Sequence, residues 1–318
     1  MSDTLNLLVD GVFFQRADTG IARVWRSVLE RLATRCEITL LDRGNAPDIA
    51  GVTKVPFPSF TGTDTAAESI LIEKMCAHFK ADLFTSTYYS TPLATPMLLM
   101  VYDMIPEVLD FDLSARDWKE KELSILFARK RVCISDNTRT DLLRFYPEIA
   151  PDSVTVAHCG VDKAFFAPRP REDVDAFRAR HGLDRPFFLC VGSRRQAHNY
   201  KNARILFEAA EGLERADFSI LCVGGEADEA EALRTAGGDE VPVMRLSLSE
   251  DELVLAYNAA EALVYPSLYE GFGMPVIEAM ACGCPVITTH HGSLGEVAGN
   301  AAVIVSGRSI PEIQTALH

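Results

Sequence analysis

Ala262-Leu263-Val264-Tyr265-Pro266-Ser267-Leu268-Tyr269-Glu270-Gly271-Phe272-Gly273-Met274-Pro275-Val276-Ile277-Glu278-Ala279-Met280-Ala281-Cys282-Gly283 reads as a strand, a glycine turn and a helix. Ala262 to Tyr265 is an apolar strand that ends at Pro266. Pro275 suits the first position of a short helix, where its missing N–H costs nothing, and Gly283 stops that helix. From Gly271 to Thr289 the only charged residue is Glu278. Its neighbours Val276, Ile277, Ala279, Met280 and Ala281 are apolar, so the helix is expected to be buried nearly all round. A carboxylate in that setting is costly unless something hydrogen-bonds it. Either a protein donor or a ligand carrying hydroxyls satisfies Glu278. Glu270, at the mouth of the turn, is either a solvated loop residue or a second acid facing the same cleft. The backbone N–H groups of Gly271, Phe272 and Gly273 can approach a ligand closely, which suits a polyol.

Outward from this unit, the chain alternates strands and helices. Strands are expected at Leu5–Val9, Glu37–Leu41, Asp82–Thr85, Met97–Tyr102, Val132–Ile134 and Val154–Ala157. Helices are expected at Ile21–Ala33, Ala66–Lys80, Arg116–Ala128 and Asn137–Phe145, with a loop from Gly44 to Thr65. Asp162 to Pro170 reads as a boundary, after which the alternation restarts. Strands are expected at Phe187–Val191, Phe218–Val223, Val241–Leu246 and Pro285–Thr288, and helices at Asn202–Gly212 and Ala227–Thr235. A further helix reaches Ala260 from Ser249, with Glu252 at the capping-box position. Such alternation means parallel sheets covered on both faces. The expected architecture is α/β, with two doubly wound, Rossmann-like domains at 1–168 and 169–318. Ligands would then bind at the carboxyl ends of the strands, between the domains.

Composition narrows the function classes. The 318 residues are 48% apolar, enough for packed cores, and carry a net charge of −14, which argues against nucleic acid as a partner. Met1-Ser2-Asp3-Thr4 supplies no basic segment ahead of the Leu5–Val9 run, which is too short for a signal core. No stretch approaches the length of a membrane span. Eight cysteines without CxxC spacing read as reduced thiols, consistent with a cytoplasmic protein. His158, His198, His290 and His291 lack metal-ligand spacing, so no metal site is expected.

Three further stretches carry candidate chemistry. Gly192-Ser193-Arg194-Arg195-Gln196-Ala197-His198-Asn199-Tyr200-Lys201-Asn202 follows a strand, is cationic without an acid, and ends at a helix N-terminus. That combination favours an anion such as a phosphate. Arg194 and Arg195 are alternatives for this task. Thr19-Gly20, ahead of the first helix, offers backbone N–H groups to a phosphate or an acceptor, or simply caps the helix. Tyr102-Asp103 ends an apolar strand, so Asp103 either faces a ligand or caps the following turn. The segment Arg116 to Arg131, six basic and three acidic residues around Trp118, Leu123, Ile125 and Leu126, either packs as a core helix or touches an anionic membrane surface.

Together these residues resemble the retaining GT-B glycosyltransferases of the large mannosyltransferase/sucrose-synthase type. The likeness is carried by Tyr257 through Asn300, where Glu270 and Glu278 flank seven intervening residues around a GFG-x-P turn. Val191-Gly192 to Lys201-Asn202, Val132 to Thr138, Gly160-Val161-Asp162 and Thr19 to Arg23 also match. The resemblance implies that Glu278 binds the ribose of a nucleotide sugar. It also implies that Glu270, with Phe272, Gly273 and Met274 beside Pro275, holds the sugar to be transferred, and that Lys201 with Arg195 or Arg194 binds the diphosphate. Transfer would retain anomeric configuration without a bound metal or other cofactor. The acceptor would be a glycan, a lipid-linked glycan or a small molecule. Two departures stand out. Tyr102 occupies a position where the family commonly has histidine, and a tyrosine there can still hydrogen-bond the donor sugar; the family also usually continues with helices beyond Ile313–His318. A nucleotide-sugar-binding protein without transfer activity and a nucleotide-sugar epimerase are the alternatives.

Overall fold

The computed structural model describes residues 4–16, 20–62, 64–193, 200–211, 213, 217–225 and 241–318. The expected helix at Ala227–Thr235 and the candidate residues Thr19, Arg194 and Arg195 lie outside these residues. The chain divides into two compact units, Met1–Cys159 and Gly160–His318. The division thus comes before the Asp162–Pro170 stretch, not at residue 168 within it. The reason is packing: Phe166 belongs to the core of the second unit, against Tyr257, with Val161 and Phe165 beside it.

Every strand pairing described is parallel. In the first unit, β1 (Asn6–Asp10), β2 (Glu37–Asp42), β3 (Val52–Pro56) and β4 (Leu83–Ser86) form a sheet in the order β3-β2-β1-β4. A second sheet, β5 (Leu98–Val101), β6 (Lys130–Cys133) and β7 (Val154–Val156), follows in the order β5-β6-β7. A single bridge between Phe84 and Met97 joins β4 to β5. β3 lies within the stretch expected to be loop. It is an edge strand, largely exposed and ending at Pro56, so it lacks the apolar run that marks a buried strand.

The second unit has one sheet, β10-β9-β8-β11-β12-β13, from β8 (Phe187–Val191), β9 (Ser219–Val223), β10 (Val243–Leu246), β11 (Ala262–Tyr265), β12 (Val286–Thr288) and β13 (Val303–Ile304). Both faces are buried, and the alternation is visible within single strands. Phe187 and Leu189 point into one core with Leu221, Tyr257 and Val286, while Phe188 and Cys190 point into another with Phe207, Cys222 and Ile287. The chain leaves β8 toward β9 on one side and returns to β11 on the other. The carboxyl ends of β8 and β11 therefore flank the point where the winding reverses, which is where open α/β sheets bind ligands.

The helix Arg171–His181 was not expected. Its sequence is mostly charged, and it buries only Phe177 before Gly182 ends it in the left-handed conformation (φ 65°). The capping box is present at Ser249 and Glu252 as the sequence predicts. The helix Arg116–Phe127 buries Glu120, Lys121, Ser124 and Ile125, with Lys121 Nζ 2.7 Å from Glu107. It packs on the core, as one of its two readings required. Among the described residues, no helix is long and apolar enough to cross a membrane.

Candidate functional site

The loop after β8 and the loop after β11 meet at the winding reversal of the second unit. Gly192 leaves β8 with φ 107°, a conformation that favours glycine. Lys201 and Asn202 stand just before the helix Arg204–Glu211. Asn202 is itself left-handed (φ 52°), and its buried amide donates to the carbonyls of Pro266 (3.0 Å) and Gly307 (2.7 Å). The Leu268 N–H donates to the Tyr200 carbonyl at 2.7 Å. These bonds tie the lysine loop to the Pro266–Glu270 loop from both sides.

The result is a compact triad. Lys201 Nζ donates to Glu270 Oε1 (2.7 Å) and to the Tyr265 hydroxyl (2.9 Å), and that hydroxyl donates to Glu270 Oε1 (2.8 Å). The Glu270 side chain is 9% exposed and that of Lys201 25%. Burial acts to lower the pKa of Lys201, but the Glu270 carboxylate, with Tyr265 and Tyr200, holds it well above the ordinary lysine value. Burial raises the Tyr265 phenol, so it stays a neutral donor. All of these bonds to the carboxylate fall on Oε1; among the described residues nothing donates to Oε2. An ammonium has three N–H groups, so Lys201 keeps one beyond its two bonds. The triad can therefore accept from a hydroxyl at one atom and donate to an anion at another.

Backbone geometry holds Glu270 in place. Its carbonyl accepts from the N–H (3.1 Å) and the hydroxyl (3.0 Å) of Ser293. Gly292, at φ 59°, lies so close that a Cβ would come within 2.6 Å of the Glu270 carbonyl oxygen and 2.8 Å of its nitrogen. Gly273 has φ 96° and caps the helix Met274–Ala281, with Pro275 in its first turn. Gly283 (φ 76°) ends it through the bonds Gly283 N–H to Met280 and Cys284 N–H to Ala279, a Schellman cap. Val276, Glu278 and Ala279 are buried, whereas Met274, Pro275, Ile277, Met280 and Ala281 are half-buried. The helix is thus covered on one side rather than all round. Phe272 is buried.

Glu278 is 1% exposed, and the Tyr257 hydroxyl donates to its Oε2 at 2.9 Å. A protein donor therefore accounts for part of its hydrogen bonding. Tyr257 and Tyr265, which donate to these acids, and Asn202, which ties the two loops together, were not singled out from the sequence. The one legible signal was that Tyr265 and Asn202 end a strand and a cationic loop at the carboxyl edge of the sheet.

The first-unit candidates have internal partners. The Tyr102 hydroxyl donates to the Thr87 carbonyl (2.6 Å) and accepts from Trp25 Nε1 (2.5 Å), so this buried phenol fastens three segments of the unit together. These are internal partners for the hydroxyl that the family resemblance turns toward the donor sugar. Asp103 Oδ1 accepts from the Ile105 N–H (2.9 Å), which is the turn-capping alternative. Gly20 opens the helix Gly20–Leu32 that carries Trp25. Sequence reading missed a buried polar cluster of this unit. Buried Arg43 makes two bonds to Asp10 (2.6 and 2.8 Å), one to Glu68 (2.8 Å) and one to the Pro58 carbonyl (2.9 Å).

Comparison with known proteins extends this picture. Residues 185–318 match the family described as Glycosyl transferases group 1. The chain is similar to the O-antigen chain mannosyltransferase B of Escherichia coli, 29% identical over 62% of this chain and 53% of that one. It is also similar to the alpha-maltose-1-phosphate synthase of Mycobacterium tuberculosis, 29% identical over 66% of this chain and 60% of that one. The chain thus spans between half and two thirds of the length of these curated relatives. Among solved structures, Anabaena Alr3699/HepE in complex with UDP-glucose aligns over 98% of this chain and 88% of that one, with TM-score 0.76 and 18% identity. The fold is accordingly GT-B, two Rossmann-like domains in one chain, and residues 185–318 carry the match to the glycosyl transferases group 1 family.

Proposed function

We propose that the protein is a retaining glycosyltransferase that moves a sugar from a nucleotide-sugar donor, of the UDP-sugar or GDP-mannose type, to an acceptor hydroxyl in glycan or polysaccharide synthesis. The observation that carries this reading is the Lys201–Tyr265–Glu270 triad at the winding reversal, with an N–H left on the cation and an oxygen left on the acid. A nucleotide sugar presents an anionic diphosphate next to a ring of hydroxyls, which is the matching pair. The names of the mannosyltransferase relative and of the UDP-glucose complex support the same donor class.

In this reading Lys201, with Arg195 or Arg194, binds the diphosphate and stabilises the charge that develops as it leaves. Glu270 accepts a hydroxyl of the transferred sugar, and the backbone of Phe272, Gly273 and Met274 lines its place. Glu278, oriented by Tyr257, accepts the ribose hydroxyls. The bond between the anomeric carbon and the diphosphate oxygen breaks, and its electron pair stays with the nucleoside diphosphate. The acceptor oxygen bonds to that carbon from the same face, and its proton passes to the departing phosphate oxygen. The side-chain cations carry the electrostatic work, with no metal assigned to it. Asp103 is assigned to the catalytic group and Gly20 to donor binding in this scheme.

Titration calorimetry with UDP and GDP tests the reading on wild type, Glu278→Ala and Lys201→Ala. A sharp loss of nucleoside-diphosphate affinity is expected in both variants. Unchanged affinity in both would sink the assignment of the site.

A further inference from the structure

We infer that the Lys201–Glu270 pair makes the site prefer an intact donor over a spent nucleoside diphosphate, and that Tyr265 sets the carboxylate for this task. The inference rests on the proposed donor class and adds a selectivity to it. Lys201 and Glu270 are bonded to each other at 2.7 Å with little exposure on the acid, so the cation that receives the diphosphate is already partly neutralised. Any diphosphate entering the site also meets the Glu270 charge. An intact donor offsets that repulsion, because its sugar brings a hydroxyl to Oε2 of the same carboxylate. A nucleoside diphosphate brings the charge without the hydroxyl. After transfer the hydroxyl departs with the sugar, and Glu270 then acts against the product that stays behind, favouring its release.

Tyr265 determines which oxygen is available. Its hydroxyl donates to Glu270 Oε1 and accepts from Lys201, so both cation and phenol engage the same oxygen. The carboxylate is thereby held with Oε2 free of protein donors among the described residues. Without the phenol, Glu270 keeps its ion pair but loses the bond that fixes its rotation. Tyr265 is a positioning residue in this scheme, acting through Glu270.

The test compares dissociation constants of UDP and UDP-glucose, and of GDP and GDP-mannose, for wild type, Glu270→Gln and Tyr265→Phe. Removing one negative charge at about 6 Å should tighten nucleoside-diphosphate binding by about 3- to 100-fold, for effective dielectric constants from about 80 down to about 20. The donor should gain less or weaken, so the preference for donor over product falls in Glu270→Gln. Tyr265→Phe should also lower that preference, through weaker donor binding at nearly unchanged product affinity. Melting curves establish that each variant is folded, and if Glu270→Gln does not fold, Tyr265→Phe decides. Product affinity unchanged or weakened in a folded Glu270→Gln overturns the inference. So does an unaltered donor preference in Tyr265→Phe. If none of the four nucleotides binds wild type, the donor reading itself fails, and this inference fails with it.

Discussion

Replacing Gly292 by alanine should damage the second unit more than its exposure suggests. Two effects add. At φ 59° an L-residue pays a left-handed backbone penalty of about 1–2 kcal/mol. The new Cβ would also sit 2.6 Å from the Glu270 carbonyl oxygen and 2.8 Å from its nitrogen. Both are backbone atoms that cannot swing aside, so relief requires moving the Glu270 peptide and its two bonds to Ser293. Overpacking of this kind costs about 1–3 kcal/mol, giving a combined loss of about 2–5 kcal/mol. Gly283→Ala is the internal control. It has a similar backbone (φ 76°) but open space where its Cβ would go, so it should lose only the backbone share. Urea denaturation of both variants measures the difference, and calorimetry with nucleoside diphosphate measures the displacement of Glu270. Equal destabilisation of the two variants, with wild-type affinity in Gly292→Ala, would refute the close-approach argument.

Asn202→Ala should cost about 2–4 kcal/mol, because two buried carbonyls lose their donor; it should also weaken nucleotide affinity by releasing the Lys201 loop, and denaturation with parallel calorimetry checks both. Tyr257→Phe removes a hydrogen bond to a buried carboxylate, worth about 1.5–3 kcal/mol. Its expected signature is a lower denaturation midpoint together with weaker nucleoside-diphosphate binding. Acid stability should depend on Glu73. Burial opposes its charge, but the N–H groups of Ala94, Thr95 and Leu93 and the Thr95 hydroxyl hold its pKa below the ordinary value. The stabilisation is therefore present above the unfolded value near 4.5 and lost as pH falls through the depressed folded value. In Glu73→Gln the fall in denaturation midpoint below that pH should be shallower, and an unchanged slope would count against the assignment.

The parallel, doubly wound character of both units was legible because buried strands such as Leu98–Val101, Phe187–Val191 and Ala262–Tyr265 are continuous apolar runs alternating with helical stretches. β3 and the helix Arg171–His181 were not, since each buries too little apolar surface to impose a period on the sequence. For the site, the chain places Lys201 and Glu270 in loops that strand order alone brings together. What spacing could not supply was the identity of their partners. Tyr265 reads as one more apolar strand residue, and Tyr257 as one position of a buried helix face. Tyr102 shows the converse. A polar residue at the end of a strand invites a ligand reading, yet a nearby indole N–H and a backbone carbonyl take up its hydroxyl inside the unit. Arg43 and Asp10 are separated by a 3-10 turn, a helix and a strand, and nothing in the linear pattern announces that they meet.

The seam between β4 and β5 has a consequence for motion. Among the described residues, only the Phe84–Met97 bridge and the Phe84 N–H to Pro96 bond fasten the two sheets of the first unit backbone to backbone at that line. At the opposite, carboxyl end, the Tyr102 hydroxyl is riveted to the Thr87 carbonyl and to Trp25. Between these two pins β4 and β5 share no continuous ladder, so each half-sheet can open as its own cooperative unit. Amide exchange along β1 and β2 should then report one opening free energy and exchange along β6 and β7 another, with Tyr102→Phe widening the gap between them.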